Sequence, residues 1–397
     1  MSGHFAELPL RRLTRILGGG TPSTSPEFWN GDVPFATPKD LRLVSGSHLK
    51  STERTLSPVG VVSGSTIAPR ASVLLSIRAP IGYTVLLDEQ VAFSQGCKAL
   101  VPDTTRIIPA FLQFSLNNKT SALEAVANGT TFKELSATVL AEFPIKVPEL
   151  GEQERIVRFL DAETAKIDHL ISKQRELIAL LQEHMSAFAE DLLVKGTVLE
   201  GSAPVEQRRL KHLFRLRDER NHRERQEVTL LSLYAKYGVR KYDEIEERTG
   251  NPVRTVEDYK CVRQGDIIVN IILAWMGAIG RSPYEGVISP AYDIWMPKQG
   301  VSSRYYHHLF RTKWFSGECF KRGKGIMMMR WRTYADQFGD ISVPFPSPQE
   351  QEHFVSLIEH EEERVEVLVE RAKRMINLLQ ERRSALITAA VTGQIEV

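Results

Sequence analysis

Basic side chains interleaved with aromatic ones are the groups in this sequence whose chemistry is most readily interpreted. The clearest stretches are residues 234–242 (YAKYGVRKY) and 321–332 (KRGKGIMMMRWR). Guanidinium and ammonium groups neutralise phosphates and contact guanine edges. These residue types favour binding to a nucleic acid. For the tyrosines of the first stretch, the sequence favours neither DNA contact nor packing over the other. Four other sites are expected to pack rather than bind: Trp275, Trp295, Trp331 and Met327–Met329.

The sequence contains no arrangement of residues typical of a catalytic centre. Gly18–Gly20 lacks the lysine and the Ser/Thr that complete a phosphate-binding loop. The Asp/Asn-Pro-Pro-aromatic tetrapeptide of a methyltransferase is also missing. His307-His308 and the carboxylate pairs lack metal-ligand spacing, and Glu361–Glu363 is interpreted as a solvated helix face. We therefore expect that the chain is not an enzyme and that it binds no cofactor or metal itself.

The stretch that would position the basic residues occurs twice. Residues 151–196 return 198 residues later, and thirteen of the 36 positions from Glu152 to Ala187 are identical to the segment from Glu350 to Ala385. A repeat of this length indicates two halves, each a globular domain followed by a helix. The predicted domains are 1–148 and 205–345, and the predicted helical regions are 149–200 and 346–397. The fold class is α+β, with two mixed α/β domains joined by two long helices.

Both copies of the repeat have the periodicity of long helices that pack against a partner. Apolar residues recur at steps of four and three, which indicates an a/d seam. The predicted seam consists of Ile156, Leu160, Glu163, Ile167, Leu170, Leu177, Leu181, His184, Phe354, Ile358, Glu361, Val365, Leu368, Met375, Leu379 and Arg382. If the helices pair as an antiparallel coiled coil, Glu163 faces Arg382 and Glu361 faces His184.

Capping and turn signals delimit these elements. Ser347 and Glu350 form a predicted capping box, and Gly196 and Gly393 stand where a left-handed residue ends each long helix. Asn30-Gly31 predicts a tight hairpin turn. Strands are predicted at 72–77, 84–87, 98–101, 266–273 and 293–296, and shorter helices at 109–117 and 303–315.

The composition suits a soluble protein of a reducing compartment. The 397 residues, 42% of them hydrophobic, suffice for two domains and two long helices. Cys97, Cys261 and Cys319 are scattered without a CxxC, which argues against disulfides or a zinc site. The longest apolar run, residues 267–279, is too short to span a bilayer, and no signal peptide is recognised. We expect a cytoplasmic location.

The net charge of +2 is distributed unevenly. Residues 1–148 carry +3 and residues 205–345 carry +8, whereas residues 149–204 carry −5 and residues 346–397 carry −4. Basic domains attract a polyanion such as DNA, and acidic helices would not line it. Ordinary solvated charge accounts for the +3 of the first domain, and the +8 of the second predicts a basic binding face.

Residue type and loop context select the candidate DNA contacts in the two domains. They are Thr37, Lys39, Arg42, Arg70, Arg78, Asn128, Thr130, Thr131, Lys133, Arg217, Arg220, Lys236, Tyr237, Arg240, Lys241, Tyr242, Lys321, Arg322, Lys324 and Arg330.

The layout resembles the specificity subunit of type I restriction-modification enzymes over nearly the whole chain. Residues 18–41, which include GGGTPS, FWNG and TPKDL, look like the opening of that family's target recognition domain. Residues 152–156 (EQERI) and 350–352 (EQE), each preceded by a proline, look like the starts of its two conserved helical regions. The second domain lacks the GGTP and WNG signatures, so it resembles a different subtype of recognition domain.

The resemblance implies a division of labour. Each basic domain would read one half of a bipartite, asymmetric target in double-stranded DNA, and the helix pair would set the spacer between the half-sites. The helical regions would dock two modification subunits, which carry S-adenosylmethionine and methylate adenine. Restriction/translocase subunits would add ATP-driven cleavage. Inserting about four residues into one helix, roughly one turn, should then change the spacer and not the half-sites.

Two alternatives belong to other functional classes. A coiled-coil scaffold would show no salt-dependent binding to duplex DNA. A fused DNA methyltransferase or nuclease would be active as the purified chain alone, and the missing motifs disfavour it.

Overall fold

The computed structural model describes residues 5–117, 119–127, 134–196, 205–235, 238–244, 255–325 and 331–397. The chain divides into two compact units. Unit 1 comprises Met1–Gln174 and Arg374–Val397, and unit 2 comprises Arg175–Lys373. Each unit therefore holds one globular domain, the first part of the long helix that follows it, and the last part of the other long helix. The predicted α+β class is confirmed.

Unit 1 is built on short strands arranged in two main sheets. The strands are β1 (Ala6–Pro9), β2 (Thr14–Gly18), β3 (Trp29–Ala36), β4 (Ser47–Leu49), β5 (Arg54–Leu56), β6 (Thr66–Ala68), β7 (Val73–Ser76), β8 (Thr84–Leu87), β9 (Val91–Phe93), β10 (Cys97–Pro102) and β11 (Pro144–Val147). The sheet orders are β2-β10-β7-β8-β4 and β5-β3-β9-β6, and β1 pairs with β11. Val73 and Leu75 of β7 pack into one core and Leu74 into another, so the first sheet is covered on both faces.

Helices cover these sheets and lead into the first long helix. They are α1 (Pro38–Leu43), α2 (Pro58–Gly64), α3 (Pro109–Asn117), α4 (Thr120–Ala125), α5 (Ala137–Glu142) and α6 (Leu150–Glu190). The last residues of the long helix, Asp191–Lys195, form a π-helical turn that ends at Gly196 in the left-handed conformation (φ 64°). The predicted glycine cap is thereby confirmed.

Unit 2 repeats this plan with fewer paired strands. Its strands are β12 (Gln207–Arg209), β13 (Phe214–Arg217), β14 (Leu231–Tyr234), β15 (Gly238–Lys241), β16 (Lys260–Val262), β17 (Ile267–Asn270), β18 (Ile279–Arg281), β19 (Gly286–Ile288), β20 (Tyr292–Pro297) and β21 (Ser342–Pro344). Its helices are α7 (Leu210–Leu213), α8 (Ser303–Phe310), α9 (Lys313–Arg322), α10 (Ala335–Gly339) and α11 (Pro348–Val391). The main sheet has the order β13-β20-β17-β18.

The strand predictions are confirmed as β7, β8, β10 and β20, whereas the strand predicted over 266–273 is the shorter β17, because residues 271–273 form a turn. The helix predicted over 109–117 is α3, whereas the one predicted over 303–315 is two helices, α8 and α9. Thr312 makes the break, because its Oγ1 accepts from the Phe315 N–H and so starts a new helix.

The predicted Ser347–Glu350 capping box is present: the Ser347 N–H donates to Glu350 Oε2 (2.8 Å), and the Glu350 N–H donates to Ser347 Oγ (3.3 Å).

The repeated Glu-Gln-Glu motif holds each long helix against its own domain. Gln153 is fully buried and its Nε2 donates to the carbonyls of Arg106 and Pro148, both at 2.9 Å, while its Oε1 accepts from the Ile108 N–H (2.8 Å). Gln351 is equally buried in unit 2 and makes the same three contacts to Gly300, Pro346 and Ser302. A buried amide with every contact made to backbone fixes where the helix leaves the domain. This role explains why glutamine stands at both positions.

The C-terminal end of each long helix packs into the core of the domain that the helix does not follow in sequence. In unit 1, Ile387, Ala390 and Val391 of α11 belong to the buried cluster that contains Leu10 and Leu160. In unit 2, Leu192 and Leu193, which follow α6, belong to the cluster that contains Tyr305 and Phe354. Neither domain core is therefore formed by a continuous stretch of sequence.

Close approach of other backbone segments explains Gly19, Gly20 and Gly31. A Cβ on Gly19 would lie 2.2 Å from the Ser94 carbonyl oxygen, so this segment packs against a strand end rather than cradling a phosphate. The hairpin turn predicted at Asn30-Gly31 is wrong. Both residues lie within β3, where the pairing register to Leu56 shifts and Asn30 takes a positive φ of 63°. The dipeptide forms a β-bulge, a feature that uses the same left-handed conformation.

Candidate nucleic-acid interface

Three of the candidates in the first domain lie near one edge of the unit 1 sheets. The Ser94 N–H donates to the Ala36 carbonyl (3.0 Å), and the Ile77 N–H donates to the Gly96 carbonyl (2.9 Å). These bonds bring the end of β3, followed by Thr37 and Lys39, close to the end of β7, followed by Arg78. The edge combines exposed cations with loop backbone, which is the setting in which proteins contact nucleic acids.

These three residues differ in how far they are available to a ligand. Thr37 caps α1, because its N–H and Oγ1 both donate to Asp40 Oδ2, at 2.9 and 2.6 Å. Lys39 and Arg78 make exposed ion pairs with Glu53 (2.6 Å) and Glu134 (3.2 Å). Exposed ion pairs contribute about 0–1 kcal/mol, so a phosphate can replace the carboxylate at little cost.

The structure does not bring all first-domain candidates together. Arg70 is exposed but precedes β7, so it lies at the opposite end of that strand from Arg78. Arg42 is exposed in the last turn of α1. Seven candidates from both domains lie outside the described residues: Asn128, Thr130, Thr131, Lys133, Lys236, Tyr237 and Arg330.

Arg217 of the second domain is held in an ion pair with Asp266, which argues against its selection as a DNA contact. Its guanidinium is bidentate to Asp266, with Nε–Oδ2 at 2.9 Å and the second N–O distance at 3.2 Å. The two side chains are only 12% and 4% exposed. Breaking a buried ion pair leaves an uncompensated charge and costs about 3–5 kcal/mol. This arginine therefore joins β13 to the turn before β17 and is not free to meet a phosphate.

Other cations of the second domain are held only at the surface. Arg220 pairs with Asp218 (2.7 Å) and Lys241 with Glu244 (3.1 Å). Lys321 and Arg322 share Glu318. Arg240 and Lys324 are exposed, and Arg240 lines a cavity of about 440 Å³ whose wall holds Arg281, Arg304 and Arg311 together with Glu359 and Glu362. The candidates among these residues contribute to the positive charge of +8 on the second domain, and they remain predicted DNA contacts.

The aromatic candidates of the second domain separate into packing and surface groups. Tyr242 is half-buried and packs against the cluster of Leu230, Val256 and Val287. Trp295 is 5% exposed and belongs to the main core, as predicted. Trp331 is half-buried rather than a core residue, and it stacks on Phe320, a partly exposed residue that sequence reasoning missed.

The long helices contact one another within each unit, and the order of the contacts is antiparallel. In unit 1, Ile167 and Ile171 of α6 pack with Leu379 of α11, and Asp168 accepts from Arg383 Nε at 3.0 Å. In unit 2, His184 Nε2 lies 3.1 Å from Glu361 Oε1. The predicted Glu361–His184 pair is thereby confirmed.

The other predicted polar pair, Glu163–Arg382, is wrong. Glu163 Oε1 accepts from Lys166 on its own helix (2.6 Å), and the arginine that reaches α6 is Arg383. The residue that meets the partner helix is therefore one position later than predicted.

The same one-residue displacement affects much of the predicted seam. Leu170, Leu177, Leu368 and Met375 are 49%, 42%, 43% and 47% exposed. Their following neighbours are the residues that turn inward: Ile171, Ile178, Val369 and Ile376. In each helix, two consecutive spacings between inward-facing residues are four residues long, which moves the buried stripe by one position. They are Ile156-Leu160-Thr164 and Glu361-Val365-Val369. Such a step is a stutter in the heptad pattern. The seam residues Ile156, Leu160, Ile167, Phe354, Ile358, Val365 and Leu379 are buried as predicted, and Leu181 is half-buried.

Two further kinds of site are not found in the part of the chain that the structure describes. No group of three or more His, Cys, Asp or Glu side chains there is placed to hold a metal ion. None of the described helices combines the length and the apolarity needed to cross a membrane.

Comparison with known proteins finds one family whose model matches the first part of the chain. Residues 7–179 match the family described as "Type I restriction modification DNA specificity domain". The chain is 30% identical over 178 residues to the type I restriction enzyme MjaIX specificity subunit of Methanocaldococcus jannaschii. This alignment covers 44% of this chain and 40% of the relative. It is 30% identical over 161 residues to the EcoR124I/EcoR124II specificity subunit of Escherichia coli, covering 38% and 39% of the two chains. The alignments thus span about two fifths of each curated relative's length.

Solved structures share the fold over the whole chain. A structure described under "complex assembly and conformational transition of the type I R-M system" has a TM-score of 0.73 at 13% identity and covers 98% of both chains. The HsdS subunit from Thermoanaerobacter tengcongensis has a TM-score of 0.54 at 14% identity, covering 99% of this chain and 97% of that one. The fold of two domains with two long helices is therefore shared with these proteins.

Proposed function

Since residues 7–179 belong to the type I restriction-modification DNA specificity family, we propose that the whole chain is the specificity subunit of such a complex. One observation carries the proposal beyond the matched half: unit 2 repeats the plan of unit 1, down to the buried glutamine that anchors its long helix. The second domain thus stands in the same relation to its helix as the DNA specificity domain does to α6.

Each domain, in this proposal, recognises one half of a bipartite DNA target. The two domains differ in their surface residues, so the half-sites differ and the target is asymmetric. Exposed cations such as Arg78, Arg240 and Lys324 supply salt-dependent phosphate contacts, and groups in the grooves supply sequence discrimination. The helices α6 and α11 are proposed to set the spacer between the two half-sites.

A helix-length variant tests whether the helices set the spacer. Seven residues inserted after Arg175 and seven after Lys373 would keep the heptad phase in both helices. Each helix would lengthen by about 10.5 Å, which corresponds to about three base pairs at 3.4 Å each. We expect the methylated motif to keep both half-sites and to gain about three unspecified base pairs. Changed half-sites with an unchanged spacer would contradict the role of the helices as a ruler.

The long helices also carry the surface proposed for the modification subunits. Leu170, Met375 and Leu378 of unit 1 are 49%, 47% and 54% exposed, and Leu368, Leu177 and Leu180 hold the repeat-equivalent positions in unit 2 at 43%, 42% and 56%. Exposed apolar groups at the same places in both units are suited to two copies of one partner.

Charge introduced at one of these positions gives a direct test of partner binding. We expect Leu170→Asp to reduce recovery of the modification subunit by at least tenfold per site in co-purification, because a carboxylate would be desolvated at an apolar contact. Leu43→Asp is the matched control, since Leu43 is 72% exposed but lies on α1. Equal recovery with wild type and Leu170→Asp would remove this face as the docking site.

The chain is proposed to be non-catalytic and to bind no cofactor. S-adenosylmethionine would be bound by two modification subunits that methylate adenine, and ATP by restriction/translocase subunits. A subunit that works on cellular DNA belongs in the cytoplasm, in agreement with its three unpaired cysteines.

The adenine methylation pattern of a host genome, with this gene present or deleted, tests the function directly. Loss of one split motif with a fixed spacer is the expected result. If no motif changes, the co-purified complex is titrated with duplex DNA at several salt concentrations. Absence of salt-dependent binding would support the alternative of a coiled-coil scaffold, and methylation or cleavage by the purified chain alone would support a fused enzyme.

A further inference from the structure

A partly exposed cluster of three aromatic rings lies at the edge of the main core of unit 2, against which Trp275 packs. The rings of Trp331 and Phe320 stack with their centroids 5.0 Å apart and an angle of 23° between planes. Trp275 approaches Phe320 on another side, with centroids 5.8 Å apart. Phe320 is 39% exposed, and Met276 beside Trp275 is 57% exposed. An apolar surface of this kind on a basic domain is a candidate recognition site.

The cluster is held in place by the backbone around it. Trp331 Nε1 donates to the Phe320 carbonyl (3.1 Å), and Trp275 Nε1 donates to the Ile272 carbonyl (3.1 Å). Gly323 lies so close beneath Trp331 that a Cβ there would be 2.3 Å from Nε1. Both indole donors are thus satisfied internally, and the cluster presents mainly ring carbon atoms to a ligand. Fixed aromatic side chains lose little entropy on binding, which suits them to recognition.

Cations surround this cluster. Lys324 and Arg332 pair through their backbones, with N–O distances of 2.9 and 3.0 Å, on either side of Trp331 along the chain. Lys313 at the start of α9 is exposed as well. Both lysines are exposed, and among the described residues no carboxylate pairs with either, so their ammonium groups can contact a ligand. Apolar rings within a basic rim complement a nucleic acid, which combines bases with phosphates.

The internal repeat places the cluster at the same edge as Arg78 in unit 1. There, the Leu135 N–H donates to the Ile77 carbonyl (2.9 Å), which joins the loop after β7 to the segment before α5. In unit 2 the Thr333 N–H donates to the Ile271 carbonyl (2.9 Å), which joins the loop after β17 to the segment before α10. The aromatic cluster and the basic edge of unit 1 are therefore equivalent surfaces in the two halves.

We propose that Trp331, Phe320 and Trp275 form the surface through which unit 2 discriminates the bases of its half-site. The rings pack against apolar base edges in a groove, while Lys324, Arg332 and Lys313 contact the flanking phosphates. The proposal rests on the proposed function, because it requires that the second domain binds DNA at all. It assigns sequence discrimination to the rings and general affinity to the cations.

The experiment uses the complex with its modification subunit and three duplexes: the full target, and the target with either half-site scrambled. We expect Trp331→Ala and Phe320→Ala to reduce discrimination at one half-site by 10- to 100-fold, which corresponds to about 1.4–2.8 kcal/mol, and to leave the other half-site unchanged. Trp331→Phe should restore most of the discrimination. Lys324→Ala should instead weaken binding to all duplexes and lower the slope of log affinity against log salt by about one.

Several outcomes would overturn the assignment. Wild-type discrimination in both alanine variants would show that the rings do not contact bases. A uniform loss at both half-sites together with a lower melting temperature would show that the rings serve packing alone. If the wild-type complex itself shows no salt-dependent binding to the target duplex, the proposed function fails, which is a separate result from either of these.

Discussion

Ile387→Asp is expected to unfold the domain of unit 1, although the residue lies 239 positions beyond the predicted end of that domain at residue 148. Ile387 has no exposed surface and packs in one cluster with Leu10 and Leu160. Truncation of a buried isoleucine costs about 2–5 kcal/mol, and a buried unpaired carboxylate costs more. Since domains are stable by only about 5–15 kcal/mol, this single change is expected to remove most of the stability.

Hydrogen exchange followed segment by segment is the appropriate measurement, because it reports each unit separately. In the Ile387→Asp variant, strands β7, β8 and β10 should lose protection. The reciprocal variant Leu193→Asp, at a position 1% exposed in the core of unit 2, should expose β17 and β20 instead. Leu378→Asp is the control, because Leu378 is 54% exposed on the same helix as Ile387. Full protection of unit 1 in Ile387→Asp would contradict the contribution of α11 to its core.

The sequence predicts the architecture well because an element predicted in one half can be compared with its counterpart in the other half. The two long helices, their glycine caps and the antiparallel pairing all follow from two copies of one pattern. What the pattern did not reveal is the stutter. A heptad phase chosen from leucines places Leu170 and Leu368 inward, but the burial of Thr164 (6% exposed) and Ala372 (3% exposed) shows that small residues occupy the tight positions. The exposed leucines belong to the surface proposed above for the modification subunits.

The candidate DNA contacts are predicted less well, because their roles depend on residues distant in sequence. Arg217 has the right chemistry for a phosphate, yet Asp266, 49 residues away, holds it in a buried pair. Residue type alone assigns Trp331 to packing. Its half-buried position is fixed by the bond to the Phe320 carbonyl and by the close approach of Gly323, and of these contacts only the nearby glycine is visible in the sequence. Gln153 and Gln351 are visible as repeated residues, but their contacts to carbonyls in the preceding loops are not.

The reciprocal packing of helix ends predicts that residues 1–200 alone form a two-fold symmetric dimer. This fragment lacks Ile387, Ala390 and Val391, which complete the core of unit 1. The repeat places Ala189, Leu192 and Leu193 at the equivalent positions of α6 and its π-helical turn. In a dimer, the end of α6 from each copy can enter the core of the other, as α11 enters it in the full chain. Residues 1–174, which lack that segment, should remain monomeric and poorly folded.

The dimer should be less stable than unit 1 in the full chain, because Ala189 takes the place of Ile387 and leaves part of the core unfilled. An isoleucine-to-alanine change of this kind costs about 2–5 kcal/mol of folding free energy. Ala189→Ile is therefore expected to tighten it, which sedimentation equilibrium of the two fragments can measure. With the modification subunit present, a dimer of first domains should methylate a palindrome built from one half-site repeated in inverted orientation, since its symmetry is imposed on the DNA. A folded, monomeric 1–200 fragment would show that the first domain is stable without a helix end from elsewhere, and would contradict the contribution of Ile387 to its core.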